Sequence, residues 1–217
     1  MRGKCVFSRL FKVLLAIVAL SGILDRAGFF SGDWQLHTLY SFTSISNAYI
    51  LGITIFALVR TPKEFRPSLA ALRYVGVVMI LITGFVYHFA LLPNKLAENP
   101  DYLIFTFGNI AAHYVVPAAT LLDWLVFDRK GRVSKWLPAV CAGVPLLYFV
   151  GASLYGYLGS RIPGKDTAYP YFFMDWGELG AAGVLKWVSV ILLVVLFLAY
   201  SVYAVDYLAG KRKTAPQ

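Results

Sequence analysis

The sequence predicts an all-α membrane protein: one domain spanning residues 1–217, built as a six-helix transmembrane bundle with both termini in the cytoplasm. Three observations lead there. Charged residues make up 14% of the chain and hydrophobic residues 59%, with a mean hydropathy of +0.67, against about 25% charged in ordinary soluble domains. A soluble domain of 217 residues could not hide that much apolar surface in one core, whereas lipid covers the outer face of every helix in a bundle. Basic residues also fall in short clusters between six apolar runs rather than along one polar face. The formal charge of +9 therefore does not indicate a nucleic-acid partner.

A helix of roughly 20 apolar residues spans a bilayer. Six windows qualify: 11–30, 39–59, 69–92, 103–127, 136–158 and 184–208. The first follows Arg2, Lys4, Arg9 and Lys12, as a signal peptide would. Its small-residue cleavage pattern is weak and Asp25–Arg26 follow at once, so it reads as a retained helix. Basic clusters recur between the second and third windows (Arg60, Lys63, Arg66, Arg73), between the fourth and fifth (Arg129, Lys130, Arg132, Lys135), and at the C-terminus (Lys211, Arg212, Lys213). Fifteen of the 20 basic residues thus share one side, and Arg26, Lys95, Arg161, Lys165 and Lys186 take the other. That bias orients the bundle with both termini inside, as expected in a bacterial inner membrane.

The connection from Gly159 to Gly183 reads as irregular, with Pro163, Gly164 and the aromatic run 169–173 suited to the headgroup level or to lidding the bundle. Cys5 and Cys141 form neither a disulfide framework nor a metal-ligand pattern. No Asn-x-Ser/Thr sequon occurs. No metal and no cofactor are implied, and oligomeric state is open. Asp123 and Asp206, near inner helix ends beside Arg129, Lys211 and Arg212, read as interfacial ion pairs.

Polar groups at membrane depth are costly and mark function. All three histidines, His37, His88 and His113, fall on the exoplasmic side of this topology. Thr43 and Asn47 are four apart and share a face of the second helix, with Ser46 beside them; Asn109 and His113 repeat the spacing on the fourth. Thr43 and His113 each lie roughly 6–15 Å below the outer helix ends, so they can meet. A threonine hydroxyl needs a neighbouring base to attack, and neutral imidazole suits that task near pH 7. Asn47 or Asn109 could hold an oxyanion, with His88 and Ser46 lining the pocket. No carboxylate is placed to orient the histidine, because Asp123 lies about 15 Å deeper; a dyad is expected. The structural alternative is that these polar side chains only knit helices together.

At these residues the chain resembles the androgen-induced, FAR-type superfamily of six-helix membrane proteins, in its bacterial branch. The matching pieces are Phe42–Thr43 with Ser46–Asn47, His113–Tyr114–Val115–Val116–Pro117, Leu122–Asp123–Trp124, Lys135–Trp136–Leu137, Pro145 with Tyr148, and Tyr169–Pro170–Tyr171–Phe172. They run in order through nearly the whole chain. The resemblance implies an intramembrane threonine hydrolase of lipid esters, similar to those acting on fatty acid esters of hydroxy fatty acids. Thr43 would be the nucleophile, His113 the base, and a membrane lipid or lipid ester the substrate. Two other classes are kept: a haem protein ligated by His88 and His113, and a transporter or scaffold, in which Pro117 and Pro145 would break midplane helices.

Overall fold

The computed structural model describes residues 2–59, 67–159, 161–162 and 167–214. Arg60, Lys63 and Arg66 of the second basic cluster, and Pro163, Gly164 and Lys165 of the long connection, lie outside them. Among the described residues there is no strand, and six helices are long and apolar enough to cross a membrane. They are α1 (Cys5–Arg26), α2 (Phe42–Val59), α3 (Ser68–Glu98), α4 (Phe107–Phe127), α5 (Leu137–Tyr157) and α6 (Trp176–Lys211). This is the architecture of an integral membrane protein.

Helix α3 is the axis of the bundle, packing on α2, α4, α5 and α6, while α1 closes against α2 and α4. Half of its spanning window is buried, against 11% for α5, so α5 lies at the rim. Tyr74, Val77, Val78 and Ile82 of α3 meet Trp124, Cys141, Val195 and Ala199 in the main core. The buried Tyr74 hydroxyl donates to the Ala199 carbonyl at 2.5 Å, and that of half-buried Tyr49 to the Leu72 carbonyl at 2.9 Å, so both phenols end on carbonyls and pin α6 and α2 to α3.

The helix ends differ from the sequence expectation in two informative places. A 3-10 turn, Leu36–Tyr40, precedes α2, which begins only at Phe42. Within the stretch 159–183, helix α6 starts at Trp176, eight residues earlier than its apolar window. Asp175 caps it, its Oδ1 accepting the N–H groups of Gly177 and Glu178 at 2.9 and 3.0 Å. Such a cap satisfies orphan donors at a helix start without apolar periodicity, so hydropathy does not register the first turns. Gly180 (φ 61°) then kinks the helix.

Two segments leave the α-helical register: Tyr87–Leu91 in α3 and Ala111–Val115 in α4 are π-turns, where Leu92 N–H donates to Tyr87 O and Val116 N–H to Ala111 O. Pro93 and Pro117 follow immediately. A proline has no N–H for the carbonyl four residues back and its ring crowds that carbonyl, and the wider π-turn relieves the clash. Pro145 acts similarly in α5, where the helix is interrupted at Ala142. The two π-turns contain His88 and His113, an arrangement common at functional sites.

Close approach of α3 and α4 at this level requires Gly84. A Cβ there would stand 2.8 Å from the His113 carbonyl oxygen and 3.6 Å from Pro117. Gly84→Ala is expected to push the His113 turn outward and cost about 1–3 kcal/mol, read as a lowered Tm in detergent. An unchanged Tm would show that the turn yields freely.

The acids near the other end correct the interfacial expectation. Asp123 is only 1% exposed and binds Lys12 at 2.6 Å and Arg73 within the bundle. Asp206 accepts the N–H groups of Arg132 and Val133 at 3.0 and 3.1 Å. The reason is reach: long cationic side chains on α1 and α3 bend inward to the carboxylate, and a basic loop presents amides to Asp206 before its charges.

Candidate functional site

The site is assembled at the end of the bundle where the segment 167–175 lies, from the first turn of α2, the π-turn of α4 and that segment. Phe42, Thr43 and Ser44 open α2, so their N–H groups have no carbonyl four residues back. Ser44 N–H is taken by the Ser41 hydroxyl at 3.2 Å, and Thr43 N–H by the Tyr171 phenol oxygen at 3.4 Å. Thr43 therefore stands at the positive pole of a helix with its own amide beside its hydroxyl.

The Thr43 hydroxyl faces His113 Nε2 at 3.4 Å. On the other side of the ring, Nδ1 lies 2.9 Å from the Asn109 carbonyl oxygen. A carbonyl only accepts, so Nδ1 carries the proton and Nε2 presents its lone pair to Thr43. The Tyr87 ring stacks on the imidazole with centroids 3.7 Å apart. Both Thr43 and His113 are 4% exposed.

Thr43 also stands where two spaces meet. A polar cavity of about 430 Å³ is lined by Thr43, His113, Tyr87, Asn109, Arg26 and Tyr171, among others. A narrow apolar crevice runs from Thr43 between α3, α5 and α6, past Ile82, Val86, Phe149, Ile191 and Leu192. Tyr171 and Leu91 line both.

Comparison with protein-family models, with curated proteins and with solved structures finds no match to this chain. Its function is read from this geometry and from the motifs.

The other residues singled out in the sequence divide. Asn109 lines the cavity, yet its amide donates to the Tyr87 hydroxyl at 2.5 Å and the Ile104 carbonyl at 2.8 Å. Asn47 donates both amide hydrogens to carbonyls, Thr43 at 2.8 Å and Ala112 at 3.2 Å. Neither keeps a donor for an oxyanion; Asn47 clips α2 to α4. Ser46 bridges to Thr83 at 2.7 Å and donates to the Thr43 carbonyl. His88 is exposed and contacts the Tyr114 hydroxyl at 3.1 Å, away from the cavity lining. His37 does line the cavity.

Two site residues were not singled out in the sequence. Tyr171 enters the sequence reading only through the aromatic run and the Tyr169–Pro170–Tyr171–Phe172 motif of the resemblance, and Arg26 only as a loop charge. No spacing rule links either to Thr43. The one available signal was that Arg26 falls at the end of a span, on the side poor in basic residues.

Proposed function

We propose that this chain is an intramembrane hydrolase of lipid esters in which Thr43 attacks and His113 acts as base and then acid. One observation carries the reading: a buried threonine hydroxyl faces the lone pair of an imidazole where a polar cavity meets an apolar crevice. Thr43 Oγ1 bonds to the ester carbonyl carbon as its proton passes to His113 Nε2. The tetrahedral intermediate collapses, the carbonyl–alkoxy bond breaks, and the leaving oxygen takes that proton. Water from the polar cavity then attacks acyl-Thr43, again deprotonated by His113, releasing the carboxylic acid and restoring the hydroxyl. The crevice suits the acyl chain and the cavity suits the polar part.

With both asparagines engaged, the Tyr171 hydroxyl is the donor left for the oxyanion, and the Thr43 N–H joins it by exchanging its long contact to the Tyr171 oxygen for the oxyanion. These groups already lie 3.4 Å apart and share the α2 N-terminus, where developing negative charge is favoured. Tyr171→Phe keeps the stack on Phe173 and removes one donor. It is expected to lower kcat about 10²–10³-fold with KM little changed; an unaltered kcat would remove Tyr171 from the chemistry.

The basic-residue asymmetry supports cytoplasmic termini and an exoplasmic site, and a bacterial inner membrane suits that orientation. The resemblance to the androgen-induced, FAR-type superfamily points to the same Thr43–His113 pair. Haem ligation is disfavoured because both His113 nitrogens already have partners, while His88 faces Tyr114. The test is fluorophosphonate labelling and lipid-ester hydrolysis by the purified protein in vesicles. Ester turnover dependent on Thr43 upholds the reading; solute flux that survives loss of Thr43, without turnover, replaces it with a transporter.

A further inference from the structure

His113 has to become a cation when it takes the Thr43 proton, in a place that offers it no counter-charge. It is 4% exposed, and among the described residues no carboxylate forms an ion pair with it. The acids on the cavity wall are Glu98, Asp175 and Glu178, and none of them is bonded to the ring. The charged side chains that bear on it electrostatically are Arg26 of α1 and Lys95 of α3, both cations. A buried cation without a partner is costly, and that cost would slow proton transfer from Thr43.

Tyr87 lies flat on the same ring. The centroids are 3.7 Å apart and the planes 14° from parallel. Two neutral rings avoid such a face-to-face sandwich and prefer offset or edge-on contacts, with centroids about 4.5–7 Å apart. Tyr171 and Phe173, also near-parallel, stand 5.1 Å apart. A cation, in contrast, is drawn to the negative face of an aromatic ring. The close superposition therefore suits imidazolium better than imidazole.

The fold enforces that superposition. Tyr87 opens the π-turn of α3, and Gly84, one helical turn before it on the same face, lets α3 approach the His113 carbonyl. Tyr87 is 1% exposed and packs with Leu91, Phe173 and Met174. Its hydroxyl accepts the Asn109 amide at 2.5 Å, while the Asn109 carbonyl takes the His113 Nδ1 proton at 2.9 Å. One tyrosine thus touches both the plane of the imidazole and the residue that sets its tautomer.

We infer that Tyr87 is a positioning residue of the Thr43–His113 pair: it holds the imidazole with Nε2 toward Thr43, and its ring face stabilises the imidazolium formed as Thr43 attacks. The second role rests on the hydrolase reading; the first rests on geometry alone.

The test replaces Tyr87 in the full chain, in vesicles, by a series of nearly constant shape: Phe, then 4-fluoro-, 3,5-difluoro- and 3,4,5-trifluorophenylalanine, introduced by stop-codon suppression. Each fluorine weakens the negative face and leaves the packing in place. With 4-nitrophenyl palmitate as probe, kcat is expected to fall stepwise from the Phe reference to about 3–30-fold below it, with KM unchanged. Tyr87→Leu, which removes the ring, should lower kcat about 10²-fold. A kcat that stays flat across the series overturns the inference, as does a loss carried by KM. Orientation is read without turnover, by ¹⁵N-histidine NMR in micelles with His113 assigned through His113→Gln. Wild-type His113 is expected as a single Nδ1–H tautomer and Tyr87→Leu as a mixture of both; an unaltered tautomer in Tyr87→Leu also overturns the inference. Tautomer mixing in Tyr87→Leu, with no Thr43-dependent turnover by the wild type, upholds the orienting role and refutes the hydrolase reading instead.

Discussion

Thr43→Ala is expected to abolish covalent capture by a fluorophosphonate probe and to lower ester hydrolysis by about 10⁴-fold or more, as loss of a catalytic nucleophile does. The neighbouring hydroxyls cannot substitute. Ser41 and Ser44 donate to the Thr38 carbonyl at 2.6 and 2.7 Å. Ser46 is held by the Thr43 carbonyl and Thr83. None of them faces the imidazole. Thr43→Ser should retain part of the activity, because it keeps the oxygen and loses only the methyl that restricts its rotamer. His113→Gln preserves much of the ring's volume and removes the base, for a fall of about 10²–10⁴-fold. Mass spectrometry of the labelled protein would place the adduct on Thr43. Undiminished labelling of Thr43→Ala would end the hydrolase reading.

Asp123→Ala is expected to cost about 3–5 kcal/mol of stability, the usual result of removing one partner from a buried ion pair. Asp123 Oδ1 binds Lys12 of α1 at 2.6 Å and its Oδ2 binds Arg73 of α3. Arg73 also binds Asp128, just beyond α4, at 2.5 Å. One carboxylate therefore joins three helices. Without it Arg73 keeps Asp128, whereas Lys12, 7% exposed, retains the Ser8 hydroxyl and the Phe127 ring but no bonded carboxylate. Replacing Lys12, Arg73 and Asp123 together by Met, Met and Leu should be milder than Asp123→Ala alone, since no charge is stranded. Thermal unfolding in detergent reads both variants. A Tm for Asp123→Ala equal to wild type would mean that water reaches the cluster and screens it.

The candidate pair was legible because it depends on local spacing. Thr43 sits one position into a helix and His113 lies less than two turns below a helix end, and rise per residue converts those positions into depth. Asn47 and Asn109 show where spacing stops being informative. Both share helical faces with the right residues, but amide donors go to whichever carbonyl is nearest, and π-turns decide which carbonyls those are. Pro93 and Pro117 marked both turns, yet a proline in a helix announces a disturbance without saying whether it becomes a kink or a π-turn. Tyr171 reaches Thr43 across 128 residues of sequence, beyond any periodic rule.

Six apolar spans follow from the sequence by itself, because the cost of moving each segment into lipid is nearly additive along the chain. The polar bias toward one end of the bundle follows for the same reason. Only the tertiary structure decided which hydroxyl faces the imidazole, that Lys12, Arg73 and Asp123 form a buried cluster, and that Arg26 lines the same cavity as Thr43 and His113. These depend on distances between residues 50 to 111 apart in sequence, and packing of α1, α2 and α4 around α3 sets those distances.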